Sequence, residues 1–247
     1  LETSPGGYKV GMSASNPTKL DEISFSFAVT SDCADTSLYE INSAAADSAE
    51  SAREKADAII KEAGNKSSTY EKLQYCFNEV KKLVSYNHEA ADNNSTPYGN
   101  PWQMTSVFDE KTETNPVCEG YAKLFQYLCY QVGINSTFVI GEGSDENHAW
   151  NTVKIENKWY HIDTTWDDGS TNGMPLYTYF NLTAKQISKN HIINTDACAV
   201  PDANSEKYSF QNTYGIVVNP YSKPKNYEAA VDYLIAYNSK YLILVCD

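Results

Sequence analysis

Arginine is almost missing from this chain: Arg53 stands alone among 19 basic side chains, and the others are lysine. Bidentate clamps on phosphate or carboxylate need clustered guanidinium forks, so phosphoryl transfer is disfavoured. Positive charge is also outnumbered, 19 against 32 acidic side chains, and the net charge of −13 repels nucleic-acid backbones and anionic lipid. Long apolar runs are lacking as well. The longest candidates are pieces such as YLILV near the end, well short of the ~18 to 20 residues that a membrane span needs. Cys33, Cys76, Cys118, Cys129, Cys198 and Cys246 include no CxxC pair and no closely spaced histidines, which argues against structural zinc. Without an internal repeat the chain is no solenoid. It opens at LETSPGG with neither methionine nor signal sequence, as expected of a product trimmed from something longer.

What is present suits one main core with appendages, given 247 residues. Abundant Asn, Tyr, Ser and Thr on an acidic background lean towards a secreted or cell-surface protein. Residues 1–64 are expected to supply a strand and a helix that pack on a core at 65–200, with 201–247 as a strand-helix-strand extension. The strand is ISFSFAVT, where Ile23, Phe25, Phe27 and Val29 alternate with mostly polar neighbours. A helix from Ser43 to Ala63 stops before Gly64, and a second starts at a capping box, Ser68 to Glu71, and runs to Ser85. Residues 87 to 116 read as a long functional loop, rich in Asn, Thr, Pro and Gly.

That loop leads into Cys118. Apolar residues at Tyr121, Leu124, Phe125, Leu128 and Val132 mark a helix ending at Gly133, so Cys118 falls at its first turn. Unpaired amides and the helix dipole favour an anion there, which gives a sulfur a reason to ionise. Cys76 and Cys129 occupy apolar helix positions and are expected to be buried. Downstream, STFVIGE, AWNTVKIE and KWYHIDTT are three strand candidates. If the last two turn on Glu156 and Asn157, Ile155 pairs with Lys158, which sets His148 opposite Thr165 and Trp150 opposite Asp163. His148 and Asp163 then share a face as diagonal neighbours, whereas a one-residue slip would part them. Cys118, His148 and Asp163 thus read as a thiol nucleophile, its base and the base's orienter. His161 is the rival base, on the same face, and reads more simply as a hydrogen-bonded support of the sheet. His88 and His191 have no such company. Trp150, Trp159 and Trp166 are core or site-wall aromatics.

The strings EKLQYCFNEVKKLVSYN, VCEGYAKLF, NHAWNTVKIENKWYHIDTTWDD and YFNLTAKQISKNH, spread over residues 70 to 192, resemble the transglutaminase-like superfamily of papain-like cysteine enzymes. The resemblance implies an α+β papain/transglutaminase-like core, with a nucleophile-bearing helix packed on an antiparallel β-sheet. Carried over, Cys118 is the nucleophile, His148 the general base and later acid, and Asp163 the orienter. The Cys118 amide would be the first oxyanion donor, with Gln103 or Trp102 as a second and Trp150 on the substrate wall. The chain has no room for the flanking β-sandwich and β-barrel domains of the large animal transglutaminases and looks more like the compact bacterial members. Hydrolysis is therefore expected over crosslinking.

The expected activity is acyl transfer on amide bonds through a cysteine thioester, without cofactor or metal. The substrate would be a protein or peptide, cell-wall peptides included, with no nucleic acid and no membrane span. The competing reading is a surface binding module that keeps this fold without turnover, favoured by the long polar loops and 19 tyrosines. A metal held by Cys118, His148 and Asp163 is a third reading, against which the family-like spacing speaks. The acidic DTTWDDGSTN stretch lacks an EF-hand pattern and reads as a solvated turn.

Overall fold

A computed structural model describes residues 3–12, 20–29, 34–83, 85–92, 104–110, 114–171 and 174–214. Trp102, Gln103, Cys33, Cys246 and the strand-helix-strand expected past Tyr214 lie outside the described residues. The first two strands, β1 (Thr3–Met12) and β2 (Leu20–Val29), form an antiparallel ribbon of their own. Sequence patterning finds β2 but not β1. The reason is the Pro5-Gly6-Gly7 run, where the register shifts, because proline and glycine weaken a strand signal and mark bulges.

Helix α1 (Ser43–Gly64) begins where the Asn42 side chain accepts from the Ala45 amide, and it buries Ala52, Ala56, Ile59 and Ala63 along one stripe. Helix α2 (Thr69–Leu83) has a variant of the expected capping box. Ser68 Oγ accepts from the Glu71 amide at 3.2 Å, but the Glu71 carboxylate reaches back to the Ser67 amide at 2.9 Å, one residue further than the box requires. Leu73, Cys76, Phe77 and Val80 are its buried face. The segment read as a continuous loop is partly helical, with α3 (His88–Asp92) and a 3-10 turn at Met104–Phe108 whose Val107 and Phe108 join the core.

Helix α4 (Cys118–Gln131) buries Tyr121, Leu124, Phe125, Leu128 and Cys129. It stops at Gly133, whose φ of 79° suits glycine and lets the Ile134 amide return to the Cys129 carbonyl at 2.8 Å. The helix packs on a four-stranded antiparallel sheet of order β5-β4-β3-β8, built from β3 (Ser136–Gly143), β4 (Glu146–Ile155), β5 (Lys158–Ile162) and β8 (His191–Ile193). Between β5 and β8 lie a short hairpin, β6 (Ser170–Thr171) with β7 (Met174–Pro175), and the one-turn helix α5 (Ala184–Ile187); α6 (Phe210–Tyr214) follows. The expected α+β fold, a cysteine-bearing helix against an antiparallel sheet, is what forms.

Two features fix the sheet register that the site depends on. Glu156 and Asn157 both have positive φ, 46° and 65°, so the β4–β5 loop has two residues and Ile155 pairs with Lys158 as expected. The central strand β4 is buried on both faces from His148 to Val153, polar Asn151 and Thr152 included. Asn151 Nδ2 donates to the Ala122 carbonyl at 3.1 Å and the Thr137 carbonyl at 3.3 Å, which ties α4 to the sheet at a fixed height. Behind this layer Phe77, Phe125, Phe180 and Tyr177 meet in edge and stacked contacts, closing the core between α2 and α4. Among the described residues no helix is long and apolar enough to cross a membrane.

Candidate active site

Cys118 is the first residue of α4, half-buried, and the helix has no side-chain cap at Val117. The two amides that follow the first turn are served by the Val117 carbonyl, from Gly120 at 3.0 Å and Tyr121 at 3.3 Å. The Cys118 sulfur is electrostatically coupled to its neighbours: it helps to raise the His148 imidazole, and its charge adds to the burial that raises the Tyr86 phenol. The other described thiols stand apart from these groups: Cys76 and Cys129 are fully buried, as expected, and burial pushes the Cys76 thiol up to about 12 and that of Cys129 well above its ordinary value.

His148 enters from β4 and lies nearly parallel to the Trp150 ring, 5.9 Å between centroids at 19°. Its Nε2 meets Asp163 Oδ2 at 2.7 Å, which leaves Nδ1 as the ring nitrogen available to a thiol. Burial alone would lower the imidazole's pKa. The Asp163 carboxylate, through charge and hydrogen bond, and then the Cys118 sulfur outweigh burial and push it up to about 10. The β4–β5 ladder ends at Asn151 and Ile162, and Asp163 begins a turn in which its Oδ1 accepts from the amides of Thr165, at 2.9 Å, and Trp166, at 3.1 Å. Those amides aim the other oxygen at His148, so the shared face read from strand parity persists one residue past the sheet. Burial would raise the Asp163 carboxyl, but His148 and then His191 hold it down at about 2.

His191 is the residue that sequence reading passed over, and its supposed isolation is corrected here. It sits on β8, fully enclosed, with Nε2 3.1 Å from the same Asp163 Oδ2 and Nδ1 2.8 Å from Asn190 Oδ1. One carboxylate thus serves two imidazoles. The signal was weak because β8 has three residues, too few for a periodic pattern, although KNH closes the segment carrying the resemblance. His88 also has a neighbour: it packs edge-on against Tyr86 at 5.0 Å. His161, the rival base, is buried, accepts at Nδ1 from the Trp150 indole N–H at 3.1 Å, and is pushed down to about 4 by burial and then by His191. It is a neutral support of the sheet.

His148, Asp163 and His191 bring their ligand atoms within 4.8 Å of one another, a grouping that could hold a metal ion. Both ring nitrogens, however, point at one carboxylate oxygen at hydrogen-bond length, and its partner oxygen is held by two amides. The donor set therefore reads as a hydrogen-bonded chain rather than lone pairs converging on a common point. We predict that His191→Ala lowers stability by about 1–3 kcal/mol, the cost of leaving a buried acceptor short of a partner. Urea denaturation checks this, and an unchanged midpoint would mean the second imidazole is idle.

Two further expectations are corrected. The DTTWDDGSTN stretch is no solvated turn: Asp163 and Asp167 are both fully buried. Asp167 accepts from the amides of Thr178 at 2.9 Å and Tyr179 at 2.8 Å, while burial drives its carboxyl up to about 7. Asp168 accepts from the Tyr121 hydroxyl at 2.5 Å, a second tie between α4 and the Asp163 turn. Trp150, expected on a substrate wall, is fully buried behind His148; Trp166 lines the open side instead. The opening is a cleft of 390 Å³ whose walls include Tyr86, His88, His148, Thr165, Trp166 and Asp168. Gly143 also borders it, and a Cβ there would stand 2.8 Å from the Trp166 ring and 3.1 Å from the His148 ring.

Residues 53–164 match the core profile described as Transglutaminase-like superfamily. A segment is 29% identical to the Kyphoscoliosis peptidase of Mus musculus over 98 residues, covering 35% of this chain and 14% of the mouse protein. The Homo sapiens Kyphoscoliosis peptidase is 33% identical over 64 residues, 21% of this chain and 10% of that protein. The chain therefore spans only a small part of the length of these relatives. Among solved structures, one described as a TGase is 16% identical with a TM-score of 0.42, covering 78% of this chain and 49% of that one. Another, described as a candidate cysteine protease from Cytophaga hutchinsonii, is 23% identical with a TM-score of 0.35, covering 46% and 37%. Residues 53–164, which hold Cys118, His148 and Asp163, are thus similar to the transglutaminase-like superfamily.

Proposed function

We propose that the chain is a thiol enzyme acting on amide bonds of protein or peptide substrates, with water rather than an amine as the usual acceptor. The observation that carries the reading is the buried 2.7 Å bond between His148 and Asp163, on an imidazole whose pKa the Cys118 sulfur helps to raise. In the proposed cycle the Cys118 sulfur, its proton held by His148, attacks the amide carbon and forms a C–S bond. The tetrahedral oxyanion collapses, the C–N bond breaks, and His148 returns the proton to the departing amine. Water, deprotonated by His148, then releases the acid and the free thiol. Asp163 fixes the imidazole with Nε2 inward and Nδ1 towards sulfur.

The peptidase name of the mouse and human relatives supports hydrolysis over crosslinking. The influence of the Cys118 sulfur on the His148 imidazole supports turnover over a binding module that merely keeps the fold. A net charge of −13 steers neutral or cationic substrates towards the protein, an effect that salt weakens.

The experiment is thiol labelling at neutral pH. Iodoacetamide should modify Cys118 at least about tenfold faster than Cys76 and Cys129, because alkylation requires an accessible thiolate and those two are enclosed and protonated. Peptide mapping by mass spectrometry gives the site. Should Cys118 react no faster than the partly exposed Cys198, the activated pair is absent and the proposal fails.

A further inference from the structure

We propose that His191 is a positioning residue of this site, sharing Asp163 Oδ2 with His148 so that the carboxylate steers the imidazole without locking a proton on it. This role rests on the proposed reading of His148 as base and later acid, and it falls to a residue outside the matched stretch 53–164.

The Asp163 carboxylate is ionised at neutral pH and therefore only accepts, so both imidazoles must present Nε2–H to it. Its Oδ1 takes the amides of Thr165 and Trp166, while its Oδ2 takes His148 at 2.7 Å and His191 at 3.1 Å. Asp163 has no exposed surface, so bulk water does not stand in for any of these donors.

His191 is itself held from several sides. Strand β8 pairs with β3 so that His191 stands opposite Gly143, and just beyond that pair the Ser144 amide donates to the Asn190 carbonyl at 3.0 Å. Trp166 at 4.3 Å, Trp150 at 4.9 Å and Tyr179 at 5.6 Å, centroid to centroid, surround the ring. On the edge away from Asp163, Nδ1 meets Asn190 Oδ1 at 2.8 Å, and Asn190 Nδ2 donates to the Tyr179 hydroxyl at 2.6 Å. The ring cannot turn without breaking both edges, so its Nε2 is a fixed point against which Oδ2 is set.

Sharing also has an electrostatic consequence. An oxygen that serves two donors holds each less strongly than it would hold one, and a bond that stabilises the imidazolium raises its pKa. Against burial, Asp163 and then the Cys118 sulfur already push His148 up to about 10. With Oδ2 to itself the imidazole would keep its proton more tightly still and return it more slowly to a departing amine. The titratable groups around the two rings are Asp163, Cys118, His161 and Tyr179. Tyr86, His88, Glu146 and Asp168 follow along the cleft. Of these groups Asp163 is the one bonded to both imidazoles.

Glutamine and asparagine separate the two ends of the ring, since a glutamine NH₂ stands near the place of Nε2 and an asparagine NH₂ near that of Nδ1. His191→Asn therefore gives up the bond to Asp163, and His191→Gln keeps it. In His191→Asn we expect the His148 titration, followed by ¹⁵N NMR of labelled imidazoles, to move up by about half to one pH unit, a roughly three- to tenfold gain in proton affinity. Cleavage of a proteome-derived peptide library should fall about tenfold, while iodoacetamide alkylation of Cys118, which needs no proton returned to a leaving group, changes by less than about threefold. His191→Gln should stay within about threefold of the natural chain in both reactions, with the His148 midpoint unmoved. The natural chain needs no folded variant: at neutral pH both His148 and His191 should show a protonated Nε2. A bare Nε2 on His191, a His148 midpoint that stays or falls in His191→Asn, or a glutamine variant as impaired as the asparagine one each overturns the proposal. A natural chain that cleaves no peptide, or whose Cys118 alkylates no faster than Cys198, would instead remove the enzyme reading, and the NMR result would still decide whether the carboxylate is shared.

Discussion

Cys118→Ala should abolish amide turnover, by about 10⁴-fold or more, while the protein stays folded. The sulfur stands on the first residue of α4 and acts on the His148 imidazole, and alanine offers no substitute. The fold has little reason to respond. Alanine is a good helix former, and the first-turn bonds from Gly120 and Tyr121 run to the Val117 carbonyl, which the substitution does not touch. The sulfur is only half-buried, so stability should change by no more than about 1 kcal/mol. Turnover can be followed without knowing the substrate, by incubating natural and variant chains with a proteome-derived peptide library and reading new termini by mass spectrometry. A second readout is His148 itself. The sulfur is among the groups that raise its pKa, so in Cys118→Ala the imidazole should titrate lower, as seen by NMR. Amide cleavage that survives the substitution would sink the thioester mechanism outright.

The parts of this site that could be read from sequence are those fixed by local rules. Gly133 stops α4, the Ser68 side chain starts α2, and the Glu156-Asn157 turn sets a register whose parity brings His148 and Asp163 to one face. Placement of Cys118 at a helix start follows from the apolar spacing after it. What escaped depends on contacts between distant segments or on elements too short to have a period. His191 arrives on a three-residue strand, and Asn87, beside Tyr86, is bonded to Pro116 across the intervening loop. Asp167 misled for another reason. Hydrophilic composition suggests solvent, yet a carboxylate can be buried when backbone amides converge on it, and amides leave no trace in composition.

Asp163→Asn should be nearly as damaging as loss of the thiol, with turnover falling by about 10³- to 10⁴-fold, and it tests the electrostatics directly. The amide is isosteric, so the turn built on Thr165 and Trp166 can persist through the remaining oxygen. Towards His148, however, an NH₂ group in place of Oδ2 favours the tautomer whose Nε2 accepts. The ring's proton then sits on Nδ1 facing the sulfur, where it cannot take another. The same substitution changes how stability depends on pH. In the folded protein His148 is raised to about 10 from 6.5, so its contribution is fully present below pH 6.5 and is lost as pH rises towards 10. Asp163 is lowered to about 2 from 3.8, so its contribution is present above pH 3.8 and is lost as pH falls towards 2. Between those limits both are complete, and the natural chain should be most stabilised by the pair near about pH 5 and measurably less near about pH 9. Asparagine cannot hold the imidazolium in the same way, so the variant should lose most at the acidic end of that window and the gap in urea midpoint should narrow at the alkaline end. A gap of the same size at both pH values would mean that the carboxylate acts on His148 through shape alone, and the charged-pair account of this site would have to be given up.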